Sequence, residues 1–332
     1  MLYLYLPLLC LIQSIVKLNA LPNALPKNDR PIIGILSVPL AVGGCVTEIQ
    51  KDDVVTDDAT SCFQSIYVKW LESSGARVVP IRYDSSDTEL LRLANSLNGI
   101  LFTGGDTPII HTDSQYMHAA GLLLNHTISA KDYFPLWGTC MGIQTLSILV
   151  AGTADILESG IFTGVDPQMM SLNFTSLAAS SKLLGTTTTP PSILQSLQSS
   201  DVTTNLHHDG INPQTYVSNQ RLHNFFDLLS TNMDTSSHSF ISTIEAKSHP
   251  IYAAQWHPER PQFDWTFYNG KLNHDLETIQ TMQYFSNFFV NEARKNNRSF
   301  ASEKEELSAL IYNYSPQVSD RSYQAYLFGK DK

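Results

Sequence analysis

A cysteine bracketed by two glycines stands between a strand-like and a helix-like apolar segment. The residues are Gly138-x-Cys140-x-Gly142, a nucleophile-elbow pattern with sulfur in place of oxygen. We expect the glycines to ease the strained backbone of so tight a turn. The N-terminus of the following helix favours a thiolate, and the Met141 amide can donate to an oxyanion. The alternative is a buried structural cysteine.

A histidine and a glutamate farther along the chain match the other needs of a thiolate nucleophile. The segment Gln255-Trp-His257-Pro-Glu259 ends a strand-like run, because proline stops the strand there. His257 can protonate a leaving amine, and Glu259 can turn back to fix the imidazole tautomer. The pattern therefore predicts a Cys-His-Glu triad, whereas most of the other histidines suit surface loops.

A glycine pair follows another predicted strand, in Thr103-Gly104-Gly105-Asp106. Glycines let backbone amides approach a ligand closely, so this turn is a candidate for a second oxyanion donor. It does not fit a phosphate-binding loop, because no Gly-Lys-Ser/Thr follows. The alternative is an ordinary turn between a strand and a helix.

The elements that must position these residues alternate between strands and helices. We predict strands over 31–37, 77–81, 99–102 and 134–137, helices over 57–74, 88–97, 115–124 and 141–150, paired strands over 239–244 and 251–256, and a helix over 276–294. This alternation indicates an α/β fold with a mainly parallel central sheet flanked by helices. Parallel α/β folds build their sites at the carboxyl ends of the strands, where Cys140 stands.

Residues 2–16 are almost wholly apolar, and small residues follow at Ala20 and Ala24. We interpret 1–20 as a signal peptide, with a buried N-terminal helix as the alternative, and 21–29 as a linker. The α/β domain then spans 30–298, and 299–332 is an unassigned tail. No later run is apolar enough for a transmembrane segment.

Four Asn-x-Ser/Thr sequons agree with passage through the secretory pathway: Asn125, Asn173, Asn297 and Asn313. Cleavage of the signal peptide would leave three cysteines, so at least one thiol is unpaired. Cys45 and Cys62 are either a disulfide or two small buried residues. No Cys-x-x-Cys occurs, so the sequence gives no support for a metal site.

Composition excludes several classes of protein. The chain has 332 residues, of which 42% are apolar and 16% charged, which argues against disorder throughout. Its formal net charge of −10 argues against a nucleic-acid binder and against a polybasic membrane-surface protein.

Taken together, three motifs resemble the class I glutamine amidotransferase superfamily. They are Gly-Thr-Cys140-Met-Gly-Ile-Gln144, the turn at 103–106 and Gln255-Trp-His257-Pro-Glu, in that order. The stretches 30–36, 67–81 and 251–259 resemble the γ-glutamyl hydrolases within that superfamily. The resemblance covers about residues 30 to 295 and implies a flavodoxin-like, amidotransferase-type fold.

The resemblance implies removal of γ-linked glutamates from folate poly-γ-glutamates, without a cofactor. It makes Cys140 the nucleophile, His257 the acid and base and Glu259 the third triad member. Gly105 and Met141 match the oxyanion positions. It also implies a substrate-binding role for His207, a homodimer, and a location in a lysosome, a vacuole or the extracellular space.

One residue departs from the hydrolase pattern. These hydrolases usually carry glutamate four residues after the nucleophile, whereas this chain has Gln144, as amidotransferases do. The resemblance implies that either side chain faces the bound γ-glutamyl group, so Gln144 is a substrate-binding candidate. The departure puts the substrate preference in doubt, including internal versus terminal cleavage and the preferred chain length. Two alternatives stay open: a hydrolase of another γ-glutamyl compound or of glutamine, and an inactive secreted binding protein. An anionic substrate also needs cationic groups, for which Arg82, Lys69 and Arg260 are candidates.

Overall fold

A computed structural model describes residues 28–40, 58–265, 271–318 and 324–329. The predicted signal peptide, most of the predicted linker and Cys45 lie outside these ranges. Within them Cys62 is disulfide-bonded and Cys140 is a free, buried cysteine. No helix in the described ranges is long and apolar enough to cross a membrane.

The described residues form strands of two to eight residues. They are β1 (Ile32–Leu36), β2 (Val38–Pro39), β3 (Ala59–Gln64), β4 (Arg77–Ile81), β5 (Gly99–Phe102), β6 (Leu136–Thr139), β7 (Gln168–Met170), β8 (Asn173–Phe174), β9 (Thr203–Asn205), β10 (Phe226–Met233), β11 (Ser239–Ala246), β12 (Ile251–Ala254), β13 (Gln317–Val318) and β14 (Gln324–Gly329).

The helices alternate with the strands over the first half of the chain. They are α1 (Ser65–Glu72), α2 (Asp87–Ser96), α3 (Gln115–Ser129), α4 (Met141–Ala151), α5 (Pro191–Ser199), α6 (Pro213–Ser218), α7 (Gln220–Phe225), α8 (Arg260–Phe263), α9 (Leu276–Ala293) and α10 (Glu303–Ala309).

An eight-stranded sheet in the order β4-β1-β5-β6-β12-β11-β10-β8 forms the centre of the fold. The strands from β4 to β12 pair in parallel, and the remaining pairings are antiparallel. The predicted mainly parallel α/β fold is therefore confirmed. The predicted pairing of β11 with β12 is also confirmed, and the structure shows it to be antiparallel. Strand β6, which leads into Cys140, lies inside the sheet between β5 and β12.

Apolar side chains cover both faces of this sheet. On β1, Ile32 and Leu36 join one buried cluster, and Ile33 and Ile35 join the other, because successive side chains of a strand point to opposite faces. Helices α2, α3 and α4 contribute to the first cluster, whereas α1 and α9 contribute to the second. This double coverage explains why the parallel strands are continuous apolar runs.

The predicted helix over 57–74 is wrong in its first half. Residues 59–64 form β3, which pairs with β14 and β2 in a second sheet of order β13-β14-β3-β2. Phe63 packs against Phe328 of β14, with ring centroids 5.0 Å apart. The helix itself begins only at Ser65. The partner that makes 59–64 a strand lies about 260 residues away, beyond any local pattern.

The described residues of the C-terminal tail contribute two strands to this second sheet. They form α10 and then β13 and β14, of which β14 lies beside β3. The other differences from the predicted elements are shifts of their ends: β6 begins at Leu136, and α3 continues to Ser129. All four sequon asparagines are exposed.

Candidate active site

Cys140 occupies a strained turn between β6 and α4. Its backbone angles are φ 52° and ψ −109°, in the region that non-glycine residues rarely adopt, and α4 begins at the next residue. Such a conformation costs about 1–3 kcal/mol and persists only where the surroundings enforce it. One enforcing contact is the hydrogen bond from the Cys140 N–H to the Ala254 carbonyl, at 2.8 Å. The side chain is 5% exposed and lines a cavity of about 260 Å³.

The two bracketing glycines permit close packing of the backbone, whereas we expected them to relieve strain in the turn. Neither has a positive φ, since the strained residue is Cys140 itself. A β-carbon at Gly138 would lie 2.9 Å from the Gly142 carbonyl carbon, and one at Gly142 would lie 2.5 Å from the Phe102 carbonyl oxygen. The glycines therefore let β6, α4 and β5 pack closely enough to hold the elbow.

His257 and Glu259 form a buried pair at the carboxyl end of β12. The Nδ1 of His257 donates to the Oε1 of Glu259 at 2.6 Å, because a carboxylate can only accept. His257 is 2% exposed and Glu259 fully buried. This bond fixes the imidazole tautomer, so that Nε2 is the nitrogen available to the cavity.

The surroundings of His257 favour its charged form. Burial opposes the imidazolium, but the negative charges of Glu259 and of Cys140 outweigh burial and raise the pKa of His257 to about 9. The structure thus favours an imidazolium beside the Cys140 sulfur at neutral pH. Such a pair supplies both a nucleophile and a proton for a leaving group.

The Gly104–Gly105 turn lies directly beside this pair. A β-carbon at Gly104 would lie 2.8 Å from the His257 Cε1 and 3.2 Å from the Cys140 Cβ. One at Gly105 would lie 3.2 Å from the Cε of Met141, so the two predicted oxyanion residues are neighbours. The structure therefore places Gly105 in the cavity lining, beside the side chain of the residue that follows Cys140.

Tyr67 is a site residue for which the sequence pattern indicates only a place on a helix. Its hydroxyl accepts a hydrogen bond from the Gly104 N–H at 2.9 Å and so holds the glycine turn in place. Burial, reinforced by the Glu259 carboxylate, raises the pKa of Tyr67, which keeps it a neutral phenol. No pattern in the sequence joins Tyr67 to Gly104, because β4, α2 and β5 separate them in the chain.

Replacing Gly104 by alanine is expected to lower kcat/KM about 100-fold. The new methyl group would have to displace His257, Tyr67 or Cys140, and a shift of about 1 Å in a reacting group can cost that much. Steady-state kinetics on the folded variant measures the effect. The matched control is Gly121→Ala, whose methyl group would meet only Leu149 at 3.4 Å. Equal losses in the two variants would refute the proposed crowding.

His207 lies in the cavity wall as a neutral imidazole. Its Nδ1 donates to the Asp209 carbonyl at 2.9 Å, and its ring packs edge-on against Phe240, 4.7 Å between centroids. Burial lowers the pKa of His207 to about 3. Its Nε2 has no partner within the described ranges, so it can accept a hydrogen bond from a ligand N–H.

The low pKa of His207 predicts a stability cost in acid. Between pH 6.5 and 3 the unfolded chain binds a proton that the folded chain does not, so stability falls as the pH falls. When the pH falls from 7 to 5, we expect the free energy of unfolding to decrease by about 2 kcal/mol less in His207→Asn than in the wild type. Urea unfolding at both pH values measures this. The control is His208→Asn, which removes an exposed imidazole paired with Asp166. The prediction would be contradicted if the free energy of unfolding depended on pH equally in His207→Asn and in the wild type.

Gln144 lies in the same wall, with its amide nitrogen committed to protein atoms. Its Nε2 donates to the Asp209 carbonyl at 2.9 Å and to the Oε1 of Gln255 at 3.2 Å. Gln255 is fully buried, and its own Nε2 donates to the Cys140 sulfur at 3.6 Å. In the sequence, Gln255 stood out only as part of the motif around His257. Its position two residues before that histidine, at the end of the same strand, could have identified it as a site residue.

The charges around the cavity are mixed. Asp106, Asp166 and Asp209 line it, and of the three predicted cationic candidates only Arg260 does. Arg260 is 3% exposed and pairs with Asp264. The other two candidates have partners elsewhere: Lys69 donates to Gln324, and Arg82 pairs with Asp84. Within the described ranges no three His, Cys, Asp or Glu side chains are grouped to hold a metal ion.

Comparisons with a family model and with known proteins lead to the same family. The Peptidase C26 model matches residues 31–259. Gamma-glutamyl hydrolase B of Dictyostelium discoideum is 38% identical over 307 residues, covering 91% of this chain and 84% of that protein. Human gamma-glutamyl hydrolase is 38% identical over 292 residues, covering 86% and 85%.

More distant relatives have similar coverage. Gamma-glutamyl hydrolase 1 of Arabidopsis thaliana is 32% identical over 308 residues, covering 91% of this chain and 83% of that protein. Among solved structures, a putative GMP synthase protein from Thermoplasma acidophilum aligns with a TM-score of 0.44 at 16% identity, covering 79% and 94%. The family match and the identity to relatives over most of their length lead to one assignment: this chain belongs to the Peptidase C26 family, alongside the γ-glutamyl hydrolases.

Proposed function

We propose that this protein hydrolyses γ-glutamyl isopeptide bonds through a thioester on Cys140. The observation that carries the proposal is the strained elbow, which presents Cys140 in a cavity beside the buried His257–Glu259 pair. Membership of the Peptidase C26 family and the names of its relatives support the same activity.

The residues divide the reaction into two acyl transfers. The Cys140 thiolate attacks the γ-carbonyl carbon, and the Met141 and Gly105 amides stabilise the oxyanion. His257 then gives its proton to the leaving amine as the C–N bond breaks, which leaves a thioester and a neutral imidazole. That imidazole takes a proton from water, whose oxygen attacks the thioester carbon. The C–S bond then breaks, which releases the carboxylic acid and restores the Cys140 thiolate beside a charged His257. Glu259 holds the imidazole in one tautomer throughout and stabilises its charged form.

Folate poly-γ-glutamates are the substrate class that we propose. His207 can accept a hydrogen bond from an amide N–H of the glutamate chain, and Arg260 is the cationic side chain at the cavity. The carboxylates of Asp106, Asp166 and Asp209 oppose binding of a polyanionic chain at neutral pH.

The test is incubation of the purified protein with folate pentaglutamate at pH 5 and pH 7, followed by chromatography of the products. Shortening by the wild type and not by Cys140→Ala is the expected result. Loss of one glutamate at a time would show cleavage at the chain end, and loss of several at once would show internal cleavage. Absence of shortening at both pH values would refute the proposed substrate.

A second substrate class is favoured by one feature of the cavity. The three carboxylates and Gln144 suit the free α-ammonium group of glutamine or of a γ-glutamyl dipeptide, which a chain of γ-linked glutamates lacks internally. The same assay with glutamine and a γ-glutamyl dipeptide separates the two classes. Faster turnover of these small compounds than of folate pentaglutamate would favour the second.

We also propose that the protein is a homodimer. It enters the secretory pathway and reaches a lysosome, a vacuole or the extracellular space. The apolar leader at 1–20 and the exposed sequon asparagines support the secretory route. Light scattering of the purified protein tests the dimer, and a monomer would exclude it. Treatment with an N-glycosidase tests the route, since a glycosylated protein loses mass.

A further inference from the structure

The sulfur of Cys140 has two hydrogen-bond neighbours that favour opposite protonation states. The Leu206 carbonyl, 3.6 Å from the sulfur, can only accept, so it stabilises the neutral thiol. The Nε2 of Gln255, also at 3.6 Å, donates and so stabilises the thiolate. Which state predominates therefore depends partly on which atom Gln255 turns toward the sulfur.

The Asp209 backbone carbonyl determines the orientation of the Gln255 amide by acting through Gln144. The Asp209 carbonyl can only accept, so the end of Gln144 that contacts it must be the nitrogen. That nitrogen has a second hydrogen, which can only meet an acceptor, so Gln255 must present its oxygen there. The Gln255 nitrogen is then left facing the sulfur. The backbone carbonyl thus determines, through two side-chain amides, that the sulfur meets a donor.

Burial makes this arrangement strong. Gln255 is fully buried and Gln144 is 4% exposed, so water cannot replace these bonds at low cost. A reversed Gln255 amide would point its oxygen at the thiolate and its N–H at another N–H. A glutamate at position 144 has no N–H, so it could not make the two bonds that Gln144 makes.

We propose that Gln255 is a positioning residue that stabilises the Cys140 thiolate, and that Gln144 acts through Gln255 by fixing its orientation. The inference rests on the proposed role of Cys140 as nucleophile and assigns Gln144 a task other than direct binding of substrate. Its test uses reaction of the thiol with iodoacetamide, which needs no γ-glutamyl substrate. A failure of the proposed substrate class therefore leaves it testable.

The experiment measures the rate of Cys140 alkylation against pH, with the modified peptide identified by mass spectrometry. Gln255→Met keeps a similar shape without a donor, and we expect it to raise the midpoint of the profile by about one pH unit. Gln144→Met should raise it by a smaller amount. The double variant should match Gln255→Met alone, because Gln144 acts only through Gln255.

The matched control is Gln214→Met, the same change at an exposed position in α6, which should leave the midpoint where it is. An unchanged midpoint in Gln255→Met would overturn the proposal. A double variant whose shift equals the sum of the single shifts would overturn the relay through Gln255. If Gln255→Met fails to fold, Gln144→Met decides alone, since an unchanged midpoint there also contradicts the relay.

Discussion

Replacement of Cys140 by serine is expected to lower kcat/KM for γ-glutamyl hydrolysis by at least about 10⁴-fold. The serine oxygen fits the place of the sulfur, but a hydroxyl is not ionised at neutral pH as a thiolate is. Loss of the thiolate also removes one of the two negative charges that raise the pKa of His257. The variant therefore lacks both the proposed nucleophile and part of what raises the pKa of His257, the proposed general acid.

The fold should tolerate this change, because serine differs from cysteine in one atom. Thermal unfolding of Cys140→Ser is expected to match that of the wild type within a few degrees. Cys140→Ala provides a second variant without a hydroxyl that could act as a weak nucleophile. Turnover by either variant above about 1% of the wild-type rate would exclude Cys140 as the nucleophile.

Replacement of Glu259 by glutamine is expected to lower the pKa of His257 from about 9 to below 7 and to reduce kcat by about 10²–10⁴-fold. Burial lowers the pKa of His257, and Glu259 makes the largest opposing contribution, so burial prevails once that charge is gone. A glutamine amide can also donate to Nδ1, which would favour the wrong tautomer. Histidine titration by NMR measures the pKa, and steady-state kinetics measures the loss of kcat.

The same variant tests the link between His257 and stability. A histidine pKa raised from 6.5 to about 9 stabilises the fold fully below pH 6.5, and this stabilisation is lost as the pH rises through 9. The stability difference between the wild type and Glu259→Gln should therefore shrink over that range. Glu303→Gln, at an exposed position in α10, is the control. A His257 pKa that stays near 9 in Glu259→Gln would contradict this account of the site.

The order of elements was predictable because each parallel strand is a short apolar run with turn residues at its ends. These runs must be apolar on both faces, and helices on both faces supply the cover, so the pattern is local. β3 was not predictable in this way. Its partner strand β14 lies in the C-terminal tail, and the residues before Ser65 carry the same apolar spacing as the helix that follows.

Within the site, the sequence by itself was enough to identify the candidate catalytic residues: Cys140 at a strand-to-helix turn and His257 two residues before Glu259. Their types and spacing are sufficient because the turn and the strand end are local structures. Only the tertiary structure decided that the strain falls on Cys140, and that Tyr67 holds the glycine turn. It also oriented the Gln255 amide toward the sulfur. These depend on contacts between segments far apart in the chain, and the direction of a buried amide is set by the partners that folding brings to it.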